Sequence, residues 1–374
     1  MDLKKNPIDL LKNFQKQAMG FSFNLWQTLN QKFLPQNKAS DQGGIVAVDI
    51  GQSHLLVLAL ERKKARPLVT HFHLETRPLS PEDTSEKLRQ IFKTENLPTK
   101  NIRVALKGQG VVIRMLTFPQ MKKEDFSSAI RYEIEKYIPF KSNEVALDFQ
   151  ILKERISQGN KQVMEVLLVA AKHPDVYQLM RLLQNADLET SLIDVGVFAV
   201  ANFVECLLPE ESKKPIGFLD VGTETTGLGI INQGKPVFIR EISFGGGDVV
   251  KLLKRKLGLE PEGLAAVLND PALQHEEYQT VVNQSLESFL TELKLTLNYY
   301  SNHVAGADPI QTLIVLGGGS RFFTNLGVFE KELGVAALRP DVLPHLEVDP
   351  RLPLDEMRKN QDLLPVALGL CLRP

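Results

Sequence analysis

The chain has 374 residues, of which 43% are hydrophobic and 24% charged, and its formal net charge is −1. This length predicts more than one domain, the composition is that of a soluble globular protein, and the balanced charge gives no support for nucleic-acid binding. Two cysteines without metal-like spacing favour a reducing compartment, and the apolar runs are too short to span a bilayer.

Residues 1–43 differ from the rest of the chain. Their apolar side chains recur at helical spacing, and residues 1–40 carry six lysines against two aspartates, a local charge of +4. Two interpretations stay open. The segment is either an interfacial helix with its lysines toward anionic head groups, or a helix packed on the protein's own body or on a partner helix. The polar stretch 35–44 is predicted to be a linker.

A meander of three strands is predicted over 45–75, and its opening pattern recurs at 216–232. In both places an apolar strand ends in Asp-x-Gly, and short polar residues, a second apolar strand, a turn and a third strand follow. The two aspartates are Asp49 and Asp220. This duplication is the main functional signal of the sequence.

The elements between the two meanders alternate between helices and strands. The predicted elements are a helix from Ser80 through Phe92, strands over 101–106 and 111–118, a helix over 124–137, a hairpin of 145–152 and 162–171, a helix over 173–186, a strand over 188–194 and a helix over 197–207. A connector is predicted over 211–215.

After the second meander, Phe244-Gly-Gly-Gly247 precedes a helix predicted to begin near Asp248, whose exposed N–H groups would favour anions. The remaining predictions are polar helices and loops over 258–280, a long helix over 279–303, a strand over 311–316 ending in Gly317-Gly-Gly-Ser320, a helix over 322–333, a strand over 335–338, loop over 340–361 and a helix over 363–372.

The two Asp-x-Gly turns have the chemistry of a phosphate site. Glycine allows a tight turn and lets backbone N–H groups approach an oxyanion, and hydroxyl donors follow each glycine. Carboxylates at strand ends suit a hydrated divalent cation. Two such turns facing one another would grip the phosphates of a nucleoside triphosphate from both sides.

Both turns, Asp49-Ile-Gly51 and Asp220-Val-Gly222, resemble the phosphate motifs of the actin and sugar-kinase ATPase superfamily, and Leu316-Gly-Gly-Gly-Ser320 is similar to its adenosine motif. More narrowly, the chain resembles the PilM family, actin-like cytoplasmic proteins of type IV pilus assembly that are related to the division protein FtsA. The stretches that carry this narrower resemblance are 129–149, 165–171 and 234–246.

The resemblance implies an α/β, actin-like fold of two RNase-H-like lobes around a nucleotide cleft, with an FtsA-type 1C (SHS2-like) insert. The expected divisions are 44–77, 185–213 and 350–374 for the first lobe (1A), 78–184 for the insert and 214–349 for the second lobe (2A/2B). ATP and Mg²⁺ are the implied ligands. The implied partners are the cytoplasmic N-terminal tail of a PilN-like protein, the PilN–PilO–PilP platform, the pilus motor ATPases and the inner-membrane surface, which together imply a cytoplasmic, membrane-peripheral location.

Carried over by position, the resemblance assigns nucleotide contacts to three glycine-rich segments and the helix of 279–303. The residues are Asp49, Gly51, Gln52, Ser53 and His54 in the first phosphate loop; Asp220, Gly222, Thr223, Thr225, Thr226, Gly245 and Gly246 around the second; Gly317, Gly318, Gly319 and Ser320 along the adenosine; and Glu292 and Lys294 near ribose and adenine. Asp49 and Asp220 would hold the Mg²⁺.

Two positions depart from the resemblance. Relatives commonly carry a lysine where this chain has Leu56, and an acidic or amide residue after Asp194 where this chain has Gly196. Because a lysine supplies a point charge for phosphate, we expect weaker nucleotide binding, which His54 would restore only in part. Because hydrolysis depends on positioning the attacking water, we expect slow or no ATP hydrolysis, and no catalytic residue is assigned.

Two other functions stay open. A small-molecule kinase of the same superfamily would need a catalytic carboxylate beside the transferred phosphoryl group and a substrate pocket, and 78–184 carries no substrate pattern. The chain could also be an FtsA-like division or type II secretion filament component. The amphipathic stretch here is N-terminal, whereas the membrane helix of FtsA is C-terminal, and this favours the pilus assignment.

Overall fold

The computed structural model describes residues 44–62, 66–78, 80–159, 161–209, 214–260, 263, 275–304 and 307–373. The amphipathic segment predicted over 1–43, and much of the polar stretch predicted over 258–280, lie outside these ranges. Within them, no helix combines the length and the apolar character needed to cross a membrane.

Strands and helices alternate along the described residues, as expected for an α/β protein. The strands are β1 (Ile45–Ile50), β2 (His54–Glu61), β3 (Leu68–Thr76), β4 (Ile102–Leu106), β5 (Val111–Pro119), β6 (Val145–Gln158), β7 (Lys161–Lys172), β8 (Thr190–Val195), β9 (Ile216–Val221), β10 (Thr226–Asn232), β11 (Lys235–Ile242), β12 (Thr312–Leu316), β13 (Ala336–Leu338) and β14 (Glu347–Val348). The α-helices are α1 (Pro81–Thr94), α2 (Lys123–Glu133), α3 (His173–Asn185), α4 (Gly196–Leu207), α5 (Gly246–Leu257), α6 (Glu276–His303), α7 (Gly327–Leu333), α8 (Leu354–Lys359) and α9 (Leu364–Leu372).

Two large sheets share one plan. The first has the order β14-β3-β2-β1-β4-β8 and the second the order β11-β10-β9-β12-β13. In each, an antiparallel meander is extended beside its first strand by parallel strands, β4 and β8 in one sheet and β12 and β13 in the other. The duplicated sequence pattern therefore corresponds to a duplicated sheet, and each sheet belongs to one lobe.

The first sheet is buried because its strands are almost wholly apolar. Six consecutive residues of β2, from Leu55 to Leu60, are buried, as expected for a strand covered on both faces. Helices α4 and α9 pack together against this sheet. Helix α9 is buried around its whole circumference, from Leu364 to Cys371, so it forms part of the core and does not lie on the surface.

A third sheet, with the order β5-β7-β6, forms a separate unit with α2. The helix buries Phe126 and Ile130 against Phe118 and Val166, and these residues belong to a core of their own. The division predicted over 78–184 covers α1 and β4 as well as this unit. Strand β4 lies between β1 and β8 in the first sheet, and α1 packs on α3.

Two segments differ from the predicted elements. Residues 340–361, predicted to be loop, contain β14, which pairs in parallel with β3, and helix α8. Their short apolar runs show no periodicity, although Leu346 and Met357 are buried. The helix predicted over 124–137 ends at Glu133 and continues as a 3₁₀ turn over Ile134–Lys136.

The insert contacts the second lobe where β5 lies against β11. Met115 of β5 packs against the cores of both lobes. Burial and, secondarily, the nearby charge of Arg240 on β11 lower the pKa of Arg114 on β5. Strand β11 is thus shared between the second sheet and the boundary of the insert.

Candidate functional site

A cleft of about 800 Å³ lies between the two large sheets. Its walls include the carboxyl ends of β1, β4 and β8 from the first lobe and of β9 and β12 from the second. Ligands bind preferentially at the carboxyl ends of parallel strands in open α/β sheets. The cleft is therefore the candidate functional site of this chain.

The loop that follows β1 is held by two side chains. Arg77 donates from Nη1 to the carbonyl oxygen of Gly51 at 3.0 Å, and its backbone N–H donates to the carbonyl oxygen of Ser53 at 3.1 Å. The His54 ring folds back over the loop, with Nε2 at 3.4 Å from Asp49 Oδ2. A Cβ at Gly51 would lie 2.4 Å from the ring, so glycine makes room for the imidazole.

Lys107 stands at the centre of the cleft. Its Nζ lies 2.9 Å from Asp49 Oδ2 and 2.8 Å from Asp49 Oδ1, and the neighbouring charge of Asp220 also attracts it. Burial lowers the pKa of Lys107, but the two carboxylates outweigh burial, so the pKa is raised and the ammonium is charged. Lys107 is thus paired with Asp49 and lies within the electrostatic influence of Asp220.

The two aspartates respond to this cation differently. Burial raises the pKa of Asp49, but the Lys107 charge and the contact with His54 oppose it more strongly and hold that pKa well below its usual range. Burial also raises the pKa of Asp220, Lys107 opposes the change, and the negative charge of Asp49 reinforces it, so the pKa of Asp220 stays raised. Asp49 is the ionised partner of Lys107, and Asp220 is a carboxyl group that more positive charge would stabilise as an anion.

The loop after β9 interlocks with the start of α5. Gly222 N–H donates to the carbonyl oxygen of Thr225 at 2.9 Å, and the Gly222 carbonyl oxygen accepts from Gly246 N–H at 2.8 Å. A Cβ at Gly245 would lie 2.4 Å from the Thr223 carbonyl, a distance that only glycine permits. The triple glycine is therefore required for close contact between the two backbones.

The start of α5 differs from the predicted anion site. The helix begins at Gly246, two residues before Asp248. The N–H groups of Gly246 and Gly247 donate to the carbonyl oxygens of Gly222 and Thr223, each at 2.8 Å. Because these N–H groups already donate to the loop after β9, they are not free for an anion.

The glycine loop after β12 lies directly beside Asp220. Gly317 has φ +82°, and a Cβ there would lie 2.6 Å from Asp220 Oδ1 and 2.5 Å from the Val221 carbonyl oxygen. Its N–H donates to the carbonyl oxygen of Asp362 at 3.0 Å. Arg321 donates to both carboxylate oxygens of Asp362, from Nε and Nη2, each at 2.8 Å. This loop thus joins the second lobe to the segment that returns to the first.

Glu241 of β11 also lines the cleft. It pairs with Gly227, which in turn pairs with Asp220, so the two carboxyl groups share one face of the sheet across a glycine. Burial raises the pKa of Glu241 from 4.5 to about 7; a hydrogen bond from Thr225 opposes the increase and the charge of Asp220 adds to it.

Most residues expected at the site line the cleft. They are Asp49, Gly51, Gln52, Ser53, His54, Asp220, Gly222, Thr223, Thr225, Gly246, Gly317, Gly318 and Gly319. Five expected residues are not among its lining residues: Thr226, Gly245, Glu292, Lys294 and Ser320. The hydroxyl of Thr226 donates to the Phe244 carbonyl oxygen at 2.8 Å, and Glu292 lies 3.4 Å from Arg240.

The lining residues with charged side chains that were not expected from the sequence are Glu75, Arg77, Lys107, Glu224, Glu241, Arg321, Glu356 and Asp362. A signal for one of them exists. Lys107 directly follows β4, which runs parallel to β1, so both carboxyl ends meet at the edge that holds Asp49. Recognising this required the pairing of β4 with β1, which the sequence pattern alone does not supply.

The fold and the cleft place the chain in the class of two-lobed, actin-like α/β proteins, which confirms the fold class expected from the sequence. A family model described as type IV pilus assembly protein PilM matches residues 41–374, and the chain belongs to this family.

Solved structures are similar over most of the chain. A PilM–PilN type IV pilus biogenesis complex matches with a TM-score of 0.76 and 23% identity, over 88% of this chain and 99% of that chain. The ethanolamine utilization protein EutJ from Carboxydothermus hydrogenoformans matches with a TM-score of 0.51 and 15% identity, over 96% of this chain and 98% of that chain.

Proposed function

We propose that this chain is a cytoplasmic, ATP-binding, actin-like scaffold of type IV pilus assembly that docks the cytoplasmic tail of a PilN-like membrane protein. The observation that carries the nucleotide part is the pair of Asp-x-Gly loops on opposite walls of one cleft, with Lys107 drawn between Asp49 and Asp220. Such a site attracts positive charge at its carboxylates.

The donor set fits Mg²⁺. Asp49 and Asp220 supply carboxylate oxygens from opposite lobes, and the described ranges contain no cluster of three or more His, Cys, Asp or Glu side chains that could hold a metal. Mg²⁺ commonly takes one or two protein carboxylates and fills its other positions with water and substrate phosphate. The ion would screen the phosphate charge, while Asp49 and Asp220 would orient it between the lobes.

Hydrolysis is proposed to be slow or absent. Helix α4 begins at Gly196, which has no side chain to orient a water. Glu241 is separated from Asp220 by strand β10. Since phosphoryl transfer to water depends on positioning the nucleophile, nucleotide would act here by closing the lobes.

The partner part of the proposal rests on the family and on the similarity to a PilM–PilN complex. The insert carries the docking groove in this proposal, on the side that faces the first lobe. Through the tail, the chain would contact the PilN–PilO–PilP platform at the inner membrane and, from the cytoplasm, the pilus motor ATPases.

The test is calorimetry with the full chain. Mg²⁺-ATP is titrated with and without a synthetic peptide of a PilN-like N-terminal tail. We expect saturable ATP binding, and we expect ATP and peptide to change each other's affinity by the same factor, because coupling between two binding sites is reciprocal.

Three outcomes would contradict the proposal. An absence of ATP binding at millimolar concentration removes the nucleotide part. Binding of a division-ring tail peptide in place of the pilus tail supports the FtsA-like alternative. Robust phosphorylation of one compound in a screen of sugars and carboxylates identifies a kinase.

A further inference from the structure

Lys107 lines the cleft, but it is not among the site residues assigned from the sequence. Three fully cationic side chains line the cleft, and two of them have structural partners. Arg77 donates to the Gly51 carbonyl oxygen, and Arg321 donates to both oxygens of Asp362. Lys107 lines the cleft beside Asp49, and 29% of its side chain is exposed.

The lysine stem is held on two sides. Its ammonium lies 2.8 Å from Asp49 Oδ1, and its aliphatic part crosses Gly196, where a Cβ would approach Lys107 Cγ to 3.0 Å. A side chain at position 196 would therefore compete with the stem for space. Long lysine side chains lose considerable rotamer entropy when they bind a ligand, and a stem that is already held loses less.

The position on β2 that pairs with Asp49 supplies no cation. Leu56 pairs with Asp49 in the sheet, and its side chain is completely buried in the core of the first lobe. An ammonium carries three N–H donors, and one carboxylate does not use all of them. Lys107 can therefore keep its contact with Asp49 and donate to a second anion.

We propose that Lys107 binds the phosphate groups of the nucleotide directly and makes the cleft selective for nucleoside polyphosphates over nucleosides. This assignment rests on the proposed nucleotide function and identifies the side chain that binds the charged phosphate groups of the ligand. The bond is charge-assisted, and such bonds are shorter and stronger than neutral ones.

The experiment compares ATP with adenosine by calorimetry on the full chain. Lys107→Met removes the charge and keeps the length of the side chain. Lys107→Arg keeps the charge. Lys100→Met is the matched control, because Lys100 lies on the surface beside Glu189 at 3.7 Å. We expect Lys107→Met to weaken ATP binding by about tenfold to a hundredfold, the worth of one hydrogen bond to a charged group.

The ATP-to-adenosine ratio separates phosphate binding from a structural role. We expect adenosine affinity to stay within about twofold of wild type in Lys107→Met, Lys107→Arg to recover part of the ATP affinity, and Lys100→Met to behave as wild type. Thermal unfolding of each variant shows that the protein measured is folded.

Two results overturn the assignment. If the wild type binds ATP and Lys107→Met binds it equally tightly, the lysine does not contact phosphate. If Lys107→Met loses ATP and adenosine by the same factor, the lysine only supports the fold of the site. Failure of the wild type to bind ATP at all removes the proposed function itself, and the role of Lys107 with it.

Discussion

Arg373 Nη1 lies 2.6 Å from Asp194 Oδ2, and at most 7% of either side chain is exposed. This buried ion pair fastens the segment after α9 to the end of β8. Burial raises the pKa of Asp194 and the Arg373 charge opposes the change. We expect Arg373→Met to destabilise the fold by about 3–5 kcal/mol, because it leaves a buried carboxylate without its counter-ion. The urea-unfolding midpoint measures this.

The double variant Asp194→Asn/Arg373→Met is the control for that prediction. It removes the unpaired charge, so it should recover part of the lost stability. An unchanged unfolding midpoint in Arg373→Met alone would show that the pair is not a determinant of stability.

Glu241 should make stability depend on pH. Burial raises the pKa of Glu241 from 4.5 to about 7 in the folded state. The folded chain therefore holds this proton more tightly, so the stabilisation is present below pH 4.5 and is lost as pH rises through about 7. The loss is at most about 3 kcal/mol.

Glu241→Gln removes this titration. The unfolding free energy of the variant, relative to wild type, should rise between pH 5 and pH 8, and denaturation in urea at a series of pH values measures the difference. Parallel curves for the two proteins would mean that Glu241 ionises normally.

Gly317 should tolerate no side chain. Alanine would adopt φ +82° and place its Cβ 2.5 Å from the Val221 carbonyl oxygen. We expect Gly317→Ala to destabilise the fold by about 2–4 kcal/mol through left-handed strain and overpacking. Gly318→Ala is the matched control, because its φ is not positive and its Cβ would meet only the flexible end of Leu363 at 3.1 Å. Equal effects in thermal unfolding would contradict the prediction.

Asp220→Ala should abolish Mg²⁺-ATP binding in calorimetry without loss of fold. Asp220 is buried close to the like charge of Asp49, which already opposes its ionisation. Removing it therefore relieves repulsion with Asp49, while it deletes a carboxylate that the cation would need. Glu332→Ala, which changes a surface carboxylate 3.7 Å from Lys331, should bind as wild type. Equal affinity in wild type and Asp220→Ala would remove Asp220 from the site.

Deletion of residues 1–40 tests the interfacial interpretation of the +4 segment. If that segment binds anionic head groups, the deleted chain should no longer float with liposomes that contain anionic lipid, and added salt should release the full chain. Unchanged flotation of the deleted chain would leave the packed-helix interpretation.

The sequence predicted those features that neighbouring residues determine. Each Asp-x-Gly corner consists of a strand end and the turn that follows it, so Asp49 and Asp220 were identified from local pattern alone. Their convergence on one cleft followed from the duplication. The apolar spacing of α2 and α6 was equally informative, because one face of each helix is buried.

Features that depend on pairing between strands far apart in the sequence could not be predicted from local patterns. Lys107 meets Asp49 only because β4 pairs in parallel with β1, and the strand-rich stretch after residue 78 gave no sign that β4 belongs to the first lobe. Glu241 faces the cleft through the register of three strands. Glu292 is not among the lining residues, and it lies 3.4 Å from Arg240.

Strand β11 borders both the cleft and the insert. Glu241 lines the cleft, and the adjacent Arg240 is close enough to Arg114 of the insert to contribute to the lowering of its pKa. Because protein interiors are close-packed, a shift of β11 on its cleft side would also alter its contact with the insert. Binding of a partner tail at the insert and binding of nucleotide in the cleft would then be coupled through the eight residues of β11.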